Sequence, residues 1–469
     1  MKKFDAIVIG MGPAGMAISA MGSALGLNIL GIEERKVGGE CLNCGCIPSK
    51  ALLKAGEANK IAQNLQKYGI KSTFSSTAKE ALSVVREKVG RINGKKMMKA
   101  FEKVALVLNE GYAEFIDQYT LKVGDEKYYA RKIFIATGTE PFIPPIPGAK
   151  TLSDEVKLTN LNLFDQKEIP EKLIIIGGGA IGSEMAQAFS RLGSTVNLMQ
   201  MDPYLIPTGD EEAGRVLEEK FKSEGIGVYN STNIQKLEEK DGMVYAYTDK
   251  GTFEGNKILI ATGRKPYIEK LKLENAGVKF DKKGITVDSY LRTNIKHIYA
   301  VGDCNGHALL SHAAMHQGMI ALMNAINPLP IKMKREKYYV PWSVFTDPEV
   351  AQVGLTEKEA DAKGLKYTIV KKNYASYGRA VADGKPEGFV KVLTNRMGKI
   401  YGVTIVGESA SEMIHEWIIA IQKNISLFDI MMTQHAFPTL SMMNKMVAED
   451  WMMQKLESPL LHKIVKFFI

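Results

Sequence analysis

The stretch Gly38-Gly39-Glu40-Cys41-Leu42-Asn43-Cys44-Gly45-Cys46-Ile47-Pro48-Ser49-Lys50 sets two cysteines five residues apart, directly after a segment that reads strand, glycine turn, helix, strand. A cysteine pair by itself is often structural, and a glycine-rich turn by itself is weak evidence of a ligand. Their order and separation constrain each other, and together they place a redox-capable dithiol beside a dinucleotide site.

Working backwards from the cysteines, Gly10-Met11-Gly12-Pro13-Ala14-Gly15 closes the apolar run Phe4 to Ile9, and Asn28 to Glu33 forms the next strand. Gly10 makes the tight turn and Gly12 lets the backbone approach a pyrophosphate. Pro13 and Ala14 share that loop, and Gly15 permits close packing of helix on strand. The helix N-terminus adds partial positive charge. Glu33, at the end of the second strand, is placed to accept hydrogen bonds from a ribose.

Working forwards, the unit recurs. Lys172 to Ile176 is a second apolar strand, Gly177-Gly178-Gly179-Ala180-Ile181-Gly182 repeats the fingerprint, and Thr195 to Met199 follows as a strand. Two dinucleotide sites imply two nucleotides. Two echoes, Ile133 to Pro141 around Gly138 and Ile258 to Pro266 around Gly263, each close a unit with a strand and a glycine turn. They read as crossing points between domains, the first stiffened by Pro144, Pro145 and Pro147. Residues 78 to 108 have a helical pattern with Lys and Glu on the polar face. From about residue 340 the character changes to strand-like runs, Val340 to Phe345 and Gly388 to Leu393, then amphipathic helices from Ser411 onward. That part carries no nucleotide signature and is a candidate for subunit contact.

The chain has 469 residues, 45% hydrophobic and 24% charged, which suffices for two or three buried cores. A net charge of +9 is modest at this length, and no basic run is interleaved with aromatics, so nucleic acid is not expected as a partner. No apolar run is long enough to cross a bilayer. Met1 leads within three residues into a strand, leaving no room for a signal peptide, and three of the four cysteines lie within six residues. Both features suit a reactive site in a reducing compartment, and a cytoplasmic location is expected. The basic, apolar tail Leu460 to Ile469 reads first as a terminal segment docked on its own dimer, with peripheral contact to an anionic membrane as the less favoured alternative.

On these residues the chain resembles the flavin-dependent pyridine nucleotide-disulfide oxidoreductases over nearly its full length, and among them the dihydrolipoamide dehydrogenases. Beyond both fingerprints and Cys41-x-x-x-x-Cys46, the resemblance rests on Tyr299-Ala300-Val301-Gly302-Asp303 and on Thr346-Asp347-Pro348-Glu349-Val350-Ala351-Gln352-Val353-Gly354. It implies an α/β chain with two Rossmann-like domains and an α+β interface domain: FAD-binding 1–149, NAD(P)-binding 150–266, a central segment 267–338 returning to the FAD side, and interface 339–469. It implies a homodimer acting on a small disulfide, dithiol or lipoyl-bearing substrate. FAD would be held by Gly10, Gly12, Pro13, Ala14, Gly15, Glu33, Gly39, Glu40, Gly138, Gly302 and Asp303. The nicotinamide nucleotide would be held by Gly177, Gly179, Ala180, Ile181, Gly182, Gln200 and Gly263. Cys46 would be the thiolate next to the flavin and Cys41 the thiol that meets substrate, with Lys50 and Glu184 as an ion pair beside the flavin. No metal site is expected.

The chain departs from that family twice. Where the family's C-terminal motif has a catalytic His and a Glu, Gln434-His435-Ala436-Phe437-Pro438-Thr439-Leu440-Ser441-Met442 puts Phe437 and Met442, neither able to move a proton. His435, two residues earlier, is the alternative base. At the end of the nicotinamide domain's second strand stands Gln200, followed by Met201 and Asp202, with Arg191 as the nearest arginine in sequence. Asp202 favours NADH, since a carboxylate reaches a ribose hydroxyl and repels a phosphate. Cys44 reads as a small buried side chain or as half of a second dithiol with Cys41, and Cys304 as packing behind Asp303. The methionines Met431, Met432, Met442, Met443, Met446, Met452 and Met453 read as core packing before soft-metal ligands. Against the disulfide-linked reading stand a diaphorase, transhydrogenase, quinone or metal-ion reductase that uses the flavin directly, and a non-catalytic flavoprotein scaffold.

Overall fold

The computed structural model describes residues 1–71, 78–92, 95–457, 459, 462, 465 and 466. Most of Leu460 to Ile469, on which the membrane expectation rests, lies outside them. Among the described residues no helix is long and apolar enough to cross a membrane.

The chain divides into two compact units. The first holds Met1–Ile176, Arg191–Thr195 and Ile234–Lys337. Its main sheet runs Ala105–Leu108, Ile29–Glu33, Lys2–Ile9, Glu126–Ile135, with Ile298–Ala300 also paired to Glu126–Ile135, all parallel. Strands enclosed on both faces are continuously apolar, and Ala6 to Ile9 are accordingly buried. An antiparallel ribbon, Thr120–Val123 and Glu114–Phe115, extends the sheet from Glu126–Ile135. The helical expectation for 78 to 108 holds for Ala81–Ile92 and the short turns up to Phe101 but fails at its end. Ala105-Leu106-Val107-Leu108 is an uninterrupted apolar run that gains a full parallel ladder beside Ile29–Glu33, and this outweighs any helical preference.

Helix Pro13–Ala24 and helix Ser311–Ile326 pack closely, because Gly318 presents bare backbone to Ala14. A Cβ at Gly318 would lie 2.7 Å from the Ala14 carbonyl oxygen. The two echo segments pair with each other: Thr139–Pro141 and Arg264–Pro266 form an antiparallel ribbon. Strands Lys157–Leu158, Lys257–Ile260 and Lys172–Ile176 lie parallel in the same unit.

The second unit holds Gly177–Ser190, Val196–Asn233 and Tyr338–Ile469. Strand Thr195–Met199 pairs in parallel with Gly227–Tyr229. The C-terminal part is a five-stranded antiparallel sheet in the order Trp342–Val344, Glu349–Gly354, Ile400–Gly407, Phe389–Thr394, Thr368–Asn373. Helices Ala410–Lys423 and Met442–Leu456 pack their apolar faces into the same core, around the fully buried Trp417. Met443 sits in that core, and Met431, Met442, Met446 and Met452 pack against it, while Met432 and Met453 are exposed. Lys391, in an entirely buried strand, is held by three carboxylates, Asp210, Glu212 and Glu357, at 2.8 to 3.0 Å. Burial pulls its pKa down, but hydrogen bonds from Lys391 to Asp210 and Glu357 outweigh that and hold it above the ordinary lysine value. Three carboxylates for three ammonium protons is what lets a charge sit there at all.

Candidate active site

In the first unit, Gly10 takes a φ of +95° and donates its N–H to the Ile32 carbonyl oxygen at 2.8 Å, turning the chain sharply out of the sheet. A Cβ there would lie 2.4 Å from the Ala136 oxygen, so only glycine fits. A Cβ at Gly12, at the N-terminus of helix Pro13–Ala24, would meet only the Gly39 backbone, at an ordinary contact distance of 3.9 Å. Glu33 uses both carboxylate oxygens: Met11 N–H donates to one and Arg35 N–H to the other, each at 2.8 Å. Burial nevertheless raises its pKa. A cavity opens here, lined by Gly10, Glu33, Tyr112, Thr137 and Tyr267 among others. Thr137 Oγ1 is buried without a hydrogen-bond partner among the described residues.

The cysteines lie on two successive helices. Gly39–Cys44 carries Cys41, and Cys46 begins the 18-residue helix Cys46–Gln63. Lys50 follows Cys46 by one turn on the same helix face. No disulfide joins the two cysteines in this structure. Cys46 Sγ lies 3.4 Å from Ser311 Oγ. The Cys41 thiol is pushed far up in pKa, first by its hydrogen bond to Cys46 and then by burial. Cys46 stands at a helix N-terminus, where the partial positive charge favours a thiolate.

Cys44 is partly buried two residues before Cys46. Burial pushes its thiol up to about 12, and its sulfur faces the Asn160 amide at 3.9 Å. Cys304 is fully buried, donating to the Val301 carbonyl oxygen at 3.2 Å. Asp303, on the turn after Ile298–Ala300, is raised to about 6 by burial, partly offset by Arg264, and accepts from Thr139 Oγ1 at 3.4 Å. Gly302 has φ +73° and donates its N–H to Gln317 Oε1, and Gly138 has φ +69°.

Sequence reading missed Arg264. From the echo ribbon it donates to Thr139 Oγ1 at 2.6 Å and to Asn160 Oδ1 at 3.3 Å, and it pairs with Glu40. The ribbon thus fixes the residue directly before Cys41. The signal was there in the repetition of Ala-Thr-Gly at 136–138 and 261–263, but nothing in the spacing told that the two copies pair.

In the second unit Gly177 has φ +104° and donates its N–H to the Met199 carbonyl oxygen at 2.8 Å, while a Cβ at Gly179 would meet open space. Ala180 and Ile181 open the following helix, both exposed, and Gly182 is buried on it. Gln200 is buried, its Oε1 accepting from Gly178 N–H at 2.9 Å. Glu184, also buried, accepts from Phe345 N–H at 3.0 Å. Gly263 belongs to the first unit, where its oxygen accepts from Phe142 N–H at 3.0 Å.

At the C-terminal loop, Phe437 is 77% exposed. The loop around it is braced: Tyr377 OH donates to the Thr439 oxygen at 2.9 Å and Arg379 to the Pro438 oxygen at 3.0 Å. His435 faces oxygen on both sides, Nε2 on Glu416 Oε1 at 2.9 Å and Nδ1 on the Thr433 carbonyl at 3.1 Å. Glu416 in turn accepts from Asn444, which accepts from buried Trp417. Through both ring nitrogens His435 ties the loop to the core.

The profile described as pyridine nucleotide-disulphide oxidoreductase matches residues 4–318, and the dimerisation domain of the same family matches 340–447. The chain belongs to the pyridine nucleotide-disulphide oxidoreductases. It is 36% identical over 453 residues to a dihydrolipoyl dehydrogenase of Thermus scotoductus, covering 94% of this chain and 96% of the relative. It is 32% identical to a mercuric reductase of Staphylococcus aureus, covering 94% and 80%. The structure superimposes on the HOCl-induced flavoprotein disulfide reductase RclA from Escherichia coli with a TM-score of 0.84 at 24% identity, covering 95% and 99% of the two chains, a likeness of fold. The protein is an FAD-dependent, nicotinamide-linked disulfide oxidoreductase and a homodimer. The first-unit cavity fits such a cofactor: an open glycine cradle, a fixed acid at the strand end, and an unpaired buried hydroxyl.

Proposed function

We propose that electrons pass from NADH through FAD to the Cys41/Cys46 pair and out to a small disulfide, with the disulfide form of a lipoyl-type group as the default acceptor and its dithiol as the substrate of the reverse reaction. The observation that carries this is the placement of the two thiols: Cys41 lies on helix Gly39–Cys44 directly after the glycine segment, and Cys46 starts the next helix with Ser311 Oγ 3.4 Å from its sulfur. Bound FAD supplies the two-electron relay. Hydride brings two electrons and one proton, solvent brings a second proton, and the disulfide opens to two thiols. Cys46 then stays against the flavin side and Cys41 attacks the acceptor disulfide.

In this reading Lys50 and Glu184 flank the flavin, and Gly10, Gly12, Pro13, Ala14, Gly15, Glu33, Gly39, Glu40, Gly138, Gly302 and Asp303 hold it. Gly177, Gly179, Ala180, Ile181, Gly182, Gln200 and Gly263 serve the nicotinamide nucleotide. The reading takes the chain as four segments, 1–149, 150–266, 267–338 and 339–469, and the clustering of three cysteines within six residues favours a reducing, cytoplasmic setting. NADH is favoured by Asp202.

A second reading is supported by the exposed Phe437 and the engaged His435: the flavin reduces a quinone or soft metal ion without a dithiol partner. Cys41→Ser and Cys46→Ser separate the two. The first reading expects both to abolish NADH-dependent disulfide reduction with FAD content unchanged. Full disulfide turnover in either variant removes the pair from the mechanism, and quinone reduction that survives as the main activity favours the second reading.

A further inference from the structure

We infer that the adenosine ribose of the nicotinamide nucleotide is read by Asp202, two residues beyond the usual strand-end position, and that Gln200 is the residue that positions it. This rests on the assignment of Gly177 to Gly182 as the nicotinamide fingerprint and deepens the NADH reading.

In a fingerprint of this kind an acid about 20 residues on ordinarily takes the ribose hydroxyls. Here the side chain at that point is an amide, and both of its ends are used. Gly178 N–H donates to Gln200 Oε1 at 2.9 Å, and Gln200 Nε2 donates to Asp202 Oδ2 at 3.0 Å. Gln200 is only 6% exposed, while Asp202 is exposed. The backbone of both is fixed: Thr232 N–H donates to the Gln200 oxygen at 2.9 Å and Ser231 N–H to the Asp202 oxygen at 3.0 Å. The amide therefore links the glycine loop to the carboxylate and leaves Asp202 Oδ1 for a ligand.

The chemistry explains why an amide stands at 200. A glutamate would still accept from Gly178, but its other oxygen would face the Asp202 carboxylate at about the same distance and repel it. An amide donates there instead. The acid has moved outward by two residues, and the strand-end side chain has become its holder.

The test is binding of ADP-ribose and 2′-phospho-ADP-ribose to the FAD-loaded protein by calorimetry, which needs no turnover. Asp202→Asn is expected to shift the ADP-ribose to 2′-phospho-ADP-ribose affinity ratio toward the phosphate by about tenfold, the size of a lost hydrogen bond to a charged group. Gln200→Glu is expected to weaken ADP-ribose through the new repulsion. The double variant Gln200→Glu, Asp202→Asn puts the acid back at the strand end and is expected to restore ADP-ribose binding, a rescue that a merely structural Gln200 does not give. An unchanged ratio in Asp202→Asn, or a double variant no better than Gln200→Glu, overturns the inference. A wild-type protein that prefers 2′-phospho-ADP-ribose overturns the NADH reading alone, and Asp202 is then still judged by the shift in the ratio.

Discussion

The two glycine fingerprints share a backbone and differ in what holds it. In each, the residue after the first glycine donates its N–H to a side chain 22 residues on: Met11 to Glu33 at 2.8 Å, and Gly178 to Gln200 at 2.9 Å. Both first glycines sit at a positive φ, +95° and +104°. Only the acceptor changes, a carboxylate in one and an amide in the other. The pairing of loop to strand end is thus a property of the fold. The charge offered to the ribose is a property of the individual site, and it can be moved along the chain without disturbing the turn.

The strongest way to break that comparison is to fill each cradle separately. A Cβ at Gly179 would meet open space and one at Gly12 only an ordinary contact with the Gly39 backbone at 3.9 Å, so Gly12→Val and Gly179→Val are expected to fold and to damage only their own nucleotide. Gly12→Val is expected to lose FAD, read as flavin absorbance per chain. Gly179→Val is expected to keep FAD and weaken ADP-ribose about 10- to 100-fold, the loss of charge-assisted contacts to a pyrophosphate. Loss of both nucleotides in either variant would show that the loops are not independent.

A smaller effect sharpens the comparison by extending it to the C-terminal loop. His435, like Gln200, is a polar side chain whose ends are both taken, so it supports a neighbouring residue instead of acting itself. His435→Ala is expected to lower disulfide-linked kcat by less than tenfold, whereas removal of a positioned base costs on the order of a hundred- to ten-thousand-fold. A drop in that larger range, with the loss of an ionisation from the pH profile, would make His435 the base.

Much of the fold was legible because its signals are local. The run Phe4 to Ile9, the glycine spacing and the strand Thr195 to Met199 each follow from a few adjacent residues, and the structure places them where expected. Ala105 to Leu108 misled because a short apolar run has no period of its own, and its partner Ile29–Glu33 lies far back in the chain. The site divides in the same way. The placement of Glu33 on the glycine turn, and of Cys41 and Cys46 on two successive helices, follows from residues close in sequence. Arg264, Ser311 and Thr137 were not legible in that way, since each matters through a residue more than a hundred positions away or through an empty cradle. The state of His435 was invisible in sequence because it turns on Glu416 and on a carbonyl direction.

The most direct test of the central claim is anaerobic titration of the purified protein with NADH, followed at long wavelength where a thiolate against oxidised flavin absorbs. Two electrons per subunit are expected to raise that band in the wild type, and Cys46→Ser is expected to abolish it while its flavin bleaches directly. Bleaching in the wild type with no long-wavelength band would contradict the account, because electrons would then stop at the flavin and never reach Cys41 and Cys46.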